Sequence, residues 1–385
     1  MANRVTKKTS YGQRVSGSLK GIVTGLVMFV IGTVTLFWIE GNFVKTKKSL
    51  NEAEGVVVRV NDISTVDPSL NGQLVHASAF ANTDDILTDR EFGVSEKAIA
   101  INRMVEYYQY EEKTSTRTEN RTGGGRETIT TYTYEKKWVK SPINSSGFEY
   151  PSYRNFTLTT VEAKAERAKN VSFGGYTLPP FIISAISGSV PAAVNLNANE
   201  LAQLEKTLPV DNATPKRVHV NGNRVYFGKS ATTPEIGDVR ITLTKTAPAD
   251  ISIIAKVVGS TFEPYITSNG KTVSEVAMGR VSAEKMFAGA HSTNLILTWF
   301  FRIIGVFLVI GGLKAMFSIL PTLFQVLPFL GNIVSAGVGL VCWIFGGAWS
   351  LIIMSFAWLF YRPVIGIPLL LAAFAGIWFL KKKAK

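Results

Sequence analysis

Acidic side chains are missing from Leu295 to Leu380, 86 residues whose only charges are Arg302, Lys314 and Arg362. A water-soluble core does not exclude carboxylates over so long a run. A bilayer does, because a carboxylate in hydrocarbon is strongly disfavoured. Cysteine is nearly absent as well. Cys342 is the only one and lies inside that apolar stretch, so no intrachain disulfide can form. Residues 40–294 must be held together by burial, and they are numerous enough for that. Histidine is scarce: His76, His219 and His291 stand far apart with no partner at metal-ligand spacing. No G-x-S-x-G, Walker A, H-E-x-x-H or paired-cysteine motif occurs. Gly123-Gly124-Gly125 is not followed by a helical pattern that could cradle phosphate. Asp84-Asp85 and Glu111-Glu112 fall where turns and strand surfaces are expected and read as solvated charge. The sequence predicts no catalytic residue, no metal site and no cofactor.

What the chain has in excess is positive charge, a net +13. Residues 1–39 carry five basic side chains (Arg4, Lys7, Lys8, Arg14, Lys20) and no acid; residues 295–385 carry seven and no acid. Together they account for twelve of the thirteen, and residues 40–294 are nearly balanced. A nucleic-acid partner would need its basic cluster on the soluble domain. Here the excess lies beside and within apolar segments, where it orients a membrane protein.

Gly21–Ile39 is an uncharged run of about 28 Å as a helix, long enough to span. No A-x-A-like cleavage site follows it, so it reads as an uncleaved anchor. Gly17, Gly21 and Gly25 repeat at small-xxx-small spacing, a surface for close helix approach within the chain or between copies. A second span is predicted over 295–313, a third over 332–360 and a fourth over 363–380 before the basic tail 381–385. Arg302 reads either as a side chain snorkelling to the headgroups or as an ion or lipid-headgroup contact. Lys314 and Arg362 flank spans and join it as candidate lipid or bundle contacts. Residues 314–331 hold Pro321 and Pro328 and are expected to be interfacial or re-entrant. Four crossings place both termini together, and the positive-inside count puts residues 1–20 and the tail in the cytoplasm. Residues 40–294 would then face a periplasm, or a lumen in a eukaryote.

That middle region reads as β-rich. Val56–Val60 and Gln73–Phe80 have strand composition, and Ile101–Thr118 with Glu127–Lys140 forms a long hairpin pattern around Gly123–Gly125. On its second arm Tyr132, Tyr134 and Trp138 alternate onto one face, a half-buried sheet surface or a ligand platform. Ala198–Leu208 reads as a surface helix. Strands resume over Arg217–Phe227, Asp238–Thr246, Ile251–Val258 and Phe262–Thr267. A helix is expected from Ser282, an N-cap candidate with Glu284 in the first turn. The fold class is therefore an α+β membrane protein: four transmembrane helices, with a large β-rich extracytoplasmic domain inserted between the first and second. Whether residues 51–180 and 215–281 are one unit or two is left open.

Several stretches, taken in order, resemble the transmembrane protein 43 (LUMA) family over nearly the full length. They are Asn51-Glu52-Ala53-Glu54-Gly55, Gly72-Gln73-Leu74-Val75-His76, Val105-Glu106-Tyr107-Tyr108-Gln109-Tyr110, Glu127–Trp138, Gly237-Asp238-Val239-Arg240, Ser282–Phe287 and Leu359-Phe360-Tyr361-Arg362-Pro363. The resemblance implies one helix, a large extracytoplasmic domain and three further helices, with Gly55, Tyr361 and Pro363 as structural motif residues. It implies no catalytic residue. Eukaryotic members look like scaffolds of the endoplasmic reticulum and inner nuclear membrane that associate with lamins, emerin and themselves. Glycine and lysine usage, without a clear retention signal, fits a bacterial member in an inner membrane.

The leading expectation is a non-enzymatic membrane organiser that contacts lipid, itself and other membrane or extracytoplasmic proteins, with no nucleic acid. The alternatives are a channel or transporter using residues 295–380, and an envelope ligand sensor. An enzyme ranks last.

Overall fold

The computed structural model of the chain describes residues 3–209, 217–364, 367 and 368. Three long helices form an apolar bundle. Helix α1 runs Tyr11–Val56 and is started by Ser10, whose hydroxyl accepts from the Gln13 N–H while the Gln13 side chain accepts from the Ser10 N–H. It does not stop at Ile39. Residues 45–54 are good helix formers, and Leu50 and Ala53 are buried against Met286 and Phe287, so helix propensity and packing act together.

Two short helices lie in the β region, α2 (Pro180–Ala185) and α3 (Ala198–Lys206). Helix α4 (Ala283–Met316) returns antiparallel to α1, and α5 (Ile319–Phe324) turns the chain into α6 (Pro328–Tyr361), parallel to α1. The expected 314–331 segment is thus mostly helical. Pro321 sits in the single turn and a half of α5, and Pro328 occupies the first position of α6, where its missing N–H costs nothing. The expected fourth span, 363–380, and the 381–385 tail lie almost wholly outside the described residues.

Each of the three long helices is apolar enough to cross a membrane. Val23, Val27 and Val34 on α1, Ile296, Ile303 and Phe307 on α4, and Phe345, Leu351 and Phe356 on α6 are exposed. Water does not tolerate so much outward-facing apolar surface, whereas hydrocarbon does.

The β region is built of two large sheets. In the first, Asn3–Thr9, Arg126–Val139, Ala100–Asn120, Val239–Thr246, Arg224–Phe227 and Val218–Asn221 lie side by side, all antiparallel. In the second, Tyr176–Thr177, Val171–Phe173, Leu74–Thr83, Ala249–Val258 and Thr261–Glu263 are neighbours, with Val58–Val60 parallel to Leu74–Thr83. Each sheet draws strands from both 51–180 and 215–281. The two halves are interleaved and do not form separate subdomains. One core lies beneath each sheet; a third joins Leu74, Ile254 and Val273 to α1 and α4 and fixes the bundle to the second sheet.

The Asn3–Thr9 strand has no counterpart in the sequence reading, because Val5 is its only large apolar residue. It is an edge strand made of threonine and charge, which hides it from hydrophobic patterning. All seven of its residues pair with Arg126–Tyr132, near the tip of the long hairpin. This ladder sets the N-terminal strand directly against the tip of the hairpin, although one belongs to residues 1–20 and the other to residues 40–294.

Candidate functional site

The hairpin Ala100–Asn120/Arg126–Val139 is rooted in the first core through Tyr107, which is buried beside Val239. From Tyr107 to Asn120 the two-stranded ribbon extends about 43 Å, and Asn3–Thr9 joins it as a third strand only over the seven residues nearest the tip. At its tip the Arg14 guanidinium donates to the Gly124 carbonyl (2.8 Å), the Gly123 N–H donates to the Val326 carbonyl (3.0 Å) and the Asn120 amide donates to Asn332 Oδ1 (3.2 Å). The Tyr11 ring packs where a side chain on Gly124 would sit, and φ there is +79°. Glycine is required at that point.

Both faces of the ribbon are polar. Cross-strand ion pairs link Lys113 to Glu135 and Lys137 to Glu111. Nearer the root, the expected aromatic stripe is covered from within: Tyr134 stacks on Tyr153 at 3.9 Å, and Trp138 lies between Tyr108 (5.2 Å) and the Arg240 guanidinium (4.3 Å). It is sheet surface under the 148–153 segment and offers no open platform. Among the described residues, no further strand pairs with Glu111–Asn120 on its outer side or with the outer side of Asn3–Thr9.

At the opposite end of the bundle is a buried ion pair. Arg302 Nε and NH2 donate to the two oxygens of Glu40 at 2.6 and 2.8 Å, and the Trp358 indole N–H donates to Glu40 Oε2 at 2.8 Å. Glu40 is wholly inaccessible and Arg302 nearly so. The pair is not legible in the sequence, because the uncharged run ends at Ile39 and Glu40 falls on the soluble side of that boundary. One turn of additional helix carries the carboxylate inward, and Arg302 does not snorkel. Arg362 lies over the Phe43 ring at 4.8 Å, and its buried NH2 has no partner among the described residues. Lys314 is at the far end of α4, over the Trp343 ring at 5.3 Å. The three cations singled out from the sequence are not one site.

The glycine positions divide similarly. A Cβ at Gly25 would lie 2.6 Å from the Gly312 carbonyl, one at Gly21 would make ordinary contact with α4, and one at Gly17 would meet nothing within 4 Å. The tight seam continues at Gly32, Gly305 and Gly312, seven residues apart on each helix, a spacing outside the small-xxx-small pattern. A Cβ on Gly41 would overlap the Tyr361 ring. Gly55 is exposed near the end of α1, and Pro363 is exposed after α6.

In the β domain, the side chain of Arg103 is only 7 % exposed and forks onto Asp89 at 2.5 and 2.7 Å. Tyr226 donates its hydroxyl to Asp238, and burial holds the Asp238 carboxyl above the ordinary aspartate range. No group of three potential metal ligands occurs among the described residues.

Fold and polar features together define an integral membrane protein in which an apolar helix bundle carries a two-sheet body and a long polar ribbon. The chain belongs to the transmembrane protein 43 family, whose model matches residues 107–363. Transmembrane protein 43 of Mus musculus is 29% identical over 378 residues, covering 94% of this chain and 90% of that protein. The Homo sapiens protein is 28% identical over 376 residues, with 94% and 89% covered. The Drosophila melanogaster homolog is 26% identical over 376 residues, with 93% of each covered. No solved structure matches the chain.

Proposed function

We propose that this chain is a non-enzymatic membrane organiser that works by assembling with itself. The observation that carries the reading is the ribbon. A strand pair at bilayer depth is tolerated only where protein covers it or where it borders water, because unpaired backbone groups in hydrocarbon are too costly. The ribbon is joined to the apolar bundle at its tip, has polar faces and, among the described residues, leaves two outer edges unpaired. Copies of the same chain supply the cover, since each brings two such edges. The two-sheet body stays outside the cytosol, while the N-terminal strand and the hairpin tip emerge together on the cytosolic side. The channel reading gains no support from the charged residues it relied on. Arg302 is closed off by Glu40 and Trp358, and Lys314 lies at the other end of α4, apart from Arg302.

Extraction in native-lipid particles followed by mass photometry tests the assembly. Discrete multiples of the chain mass are expected, with dissociation when proline replaces Thr116, which would obstruct pairing at the outer edge. A uniform monomer population carrying an intact ribbon would sink the proposal.

A further inference from the structure

A polar cleft of about 630 Å³ lies where the ribbon tip meets the ends of α1, α4, α5 and α6. Three cations line it, Arg14, Arg126 and Lys314, and no aspartate or glutamate does. None of the three forms an ion pair among the described residues. Arg14 is 7 % exposed, and among the described residues its guanidinium donates only to the Gly124 carbonyl. A guanidinium removed from water that far without a counter-charge is strongly disfavoured. The cleft also holds two buried acceptors with no donor, Asn120 Oδ1 and Gln325 Oε1. Both amides point their NH2 groups at Asn332 Oδ1, at 3.2 and 3.5 Å.

These features call for a ligand of one kind. Arg14, largely withdrawn from water and without a counter-charge, calls for an anion, and the exposed Arg126 and Lys314 add to the attraction. We infer that this cleft binds a phosphate-bearing head, with the phosphate among Arg14, Arg126 and Lys314. Its position favours a lipid as the source. Lys314 is in the last turn of α4, and Val338 and Gly339 lead from the cleft along apolar α6. A headgroup there would have its acyl chains against the bundle. The inference rests on the docking of the ribbon tip, and not on self-association.

The test uses the full chain, delipidated in detergent, with melting temperature and retained ligand by native mass spectrometry counted per chain. Phosphatidylglycerol is the lipid probe; glycerol phosphate and inorganic phosphate are the soluble probes. Phosphatidylglycerol is expected to raise the melting temperature and stay bound at one per chain. Lys314→Gln and Arg126→Gln, both at exposed positions, should each weaken it roughly tenfold, the scale of one charge-assisted hydrogen bond. If glycerol phosphate alone binds with the same sensitivity to both substitutions, the anion site stands and its source is a soluble phosphate ester. If no probe binds, or if both variants bind lipid like the parent, the inference is overturned. Because binding is read per chain, a monomeric protein that binds would separate this result from failure of the assembly proposal.

Discussion

Glu40 and Arg302 show what a single ionised side chain does at the margin of an apolar bundle. Each is inaccessible enough that its partner must be present, and the Trp358 indole N–H shares in holding the carboxylate. Removing one member leaves the other charge buried and alone, which typically costs about 3–5 kcal/mol. Glu40→Ala should therefore lower the melting temperature of the detergent-solubilised chain sharply. The double variant Glu40→Leu/Arg302→Leu should recover much of that loss, since an apolar pair of similar volume carries no desolvation penalty. A double variant as unstable as the single one would show that the charges do more than compensate each other.

Among the elements, the α1–α4 seam is closed by glycine. At Gly312 a Cβ would lie 2.6 Å from the Phe29 backbone nitrogen and 2.7 Å from the Gly25 carbonyl, so backbone has to move. Gly312→Ala and Gly32→Ala should each cost about 1–3 kcal/mol, as overpacking does. Gly17→Ala, with open space around it, should instead stabilise by about 0.5–1 kcal/mol in the same thermal unfolding measurement, because alanine favours the helix. Sequence could indicate that glycines were at work, but not which ones, because the partner face of α4 lies some 280 residues away. Hairpins and strands were more legible. The long hairpin and the strand over Val239–Thr246 are where alternation and turn chemistry place them, since both act locally. The Asn3–Thr9 strand and the inward turn of Glu40 were not legible. One has no hydrophobic pattern, and the other depends on how far a helix continues past its apolar run. The basic cleft was hidden for the same reason as the seam: Arg14, Arg126 and Lys314 are brought together only by tertiary docking.

For the whole molecule, the ladder between Asn3–Thr9 and Arg126–Tyr132 makes a prediction about sidedness. Small tags at the N-terminus and beside Gly124 should react together with an impermeant label applied to the cytosolic face. A tag in the Asn221–Asn223 turn should react only from the other face. Opposite labelling of the first two would mean that the ladder is absent in the membrane. The ladder also closes a circuit. Ser10 passes directly from the paired strand into α1, and the far end of α1 is buried against the second sheet. Ribbon and bundle are thus struts of one frame, pinned at both ends. Helices in such a frame cannot tilt independently to match a thinner or thicker bilayer, so the surrounding lipid must stretch or compress to fit them.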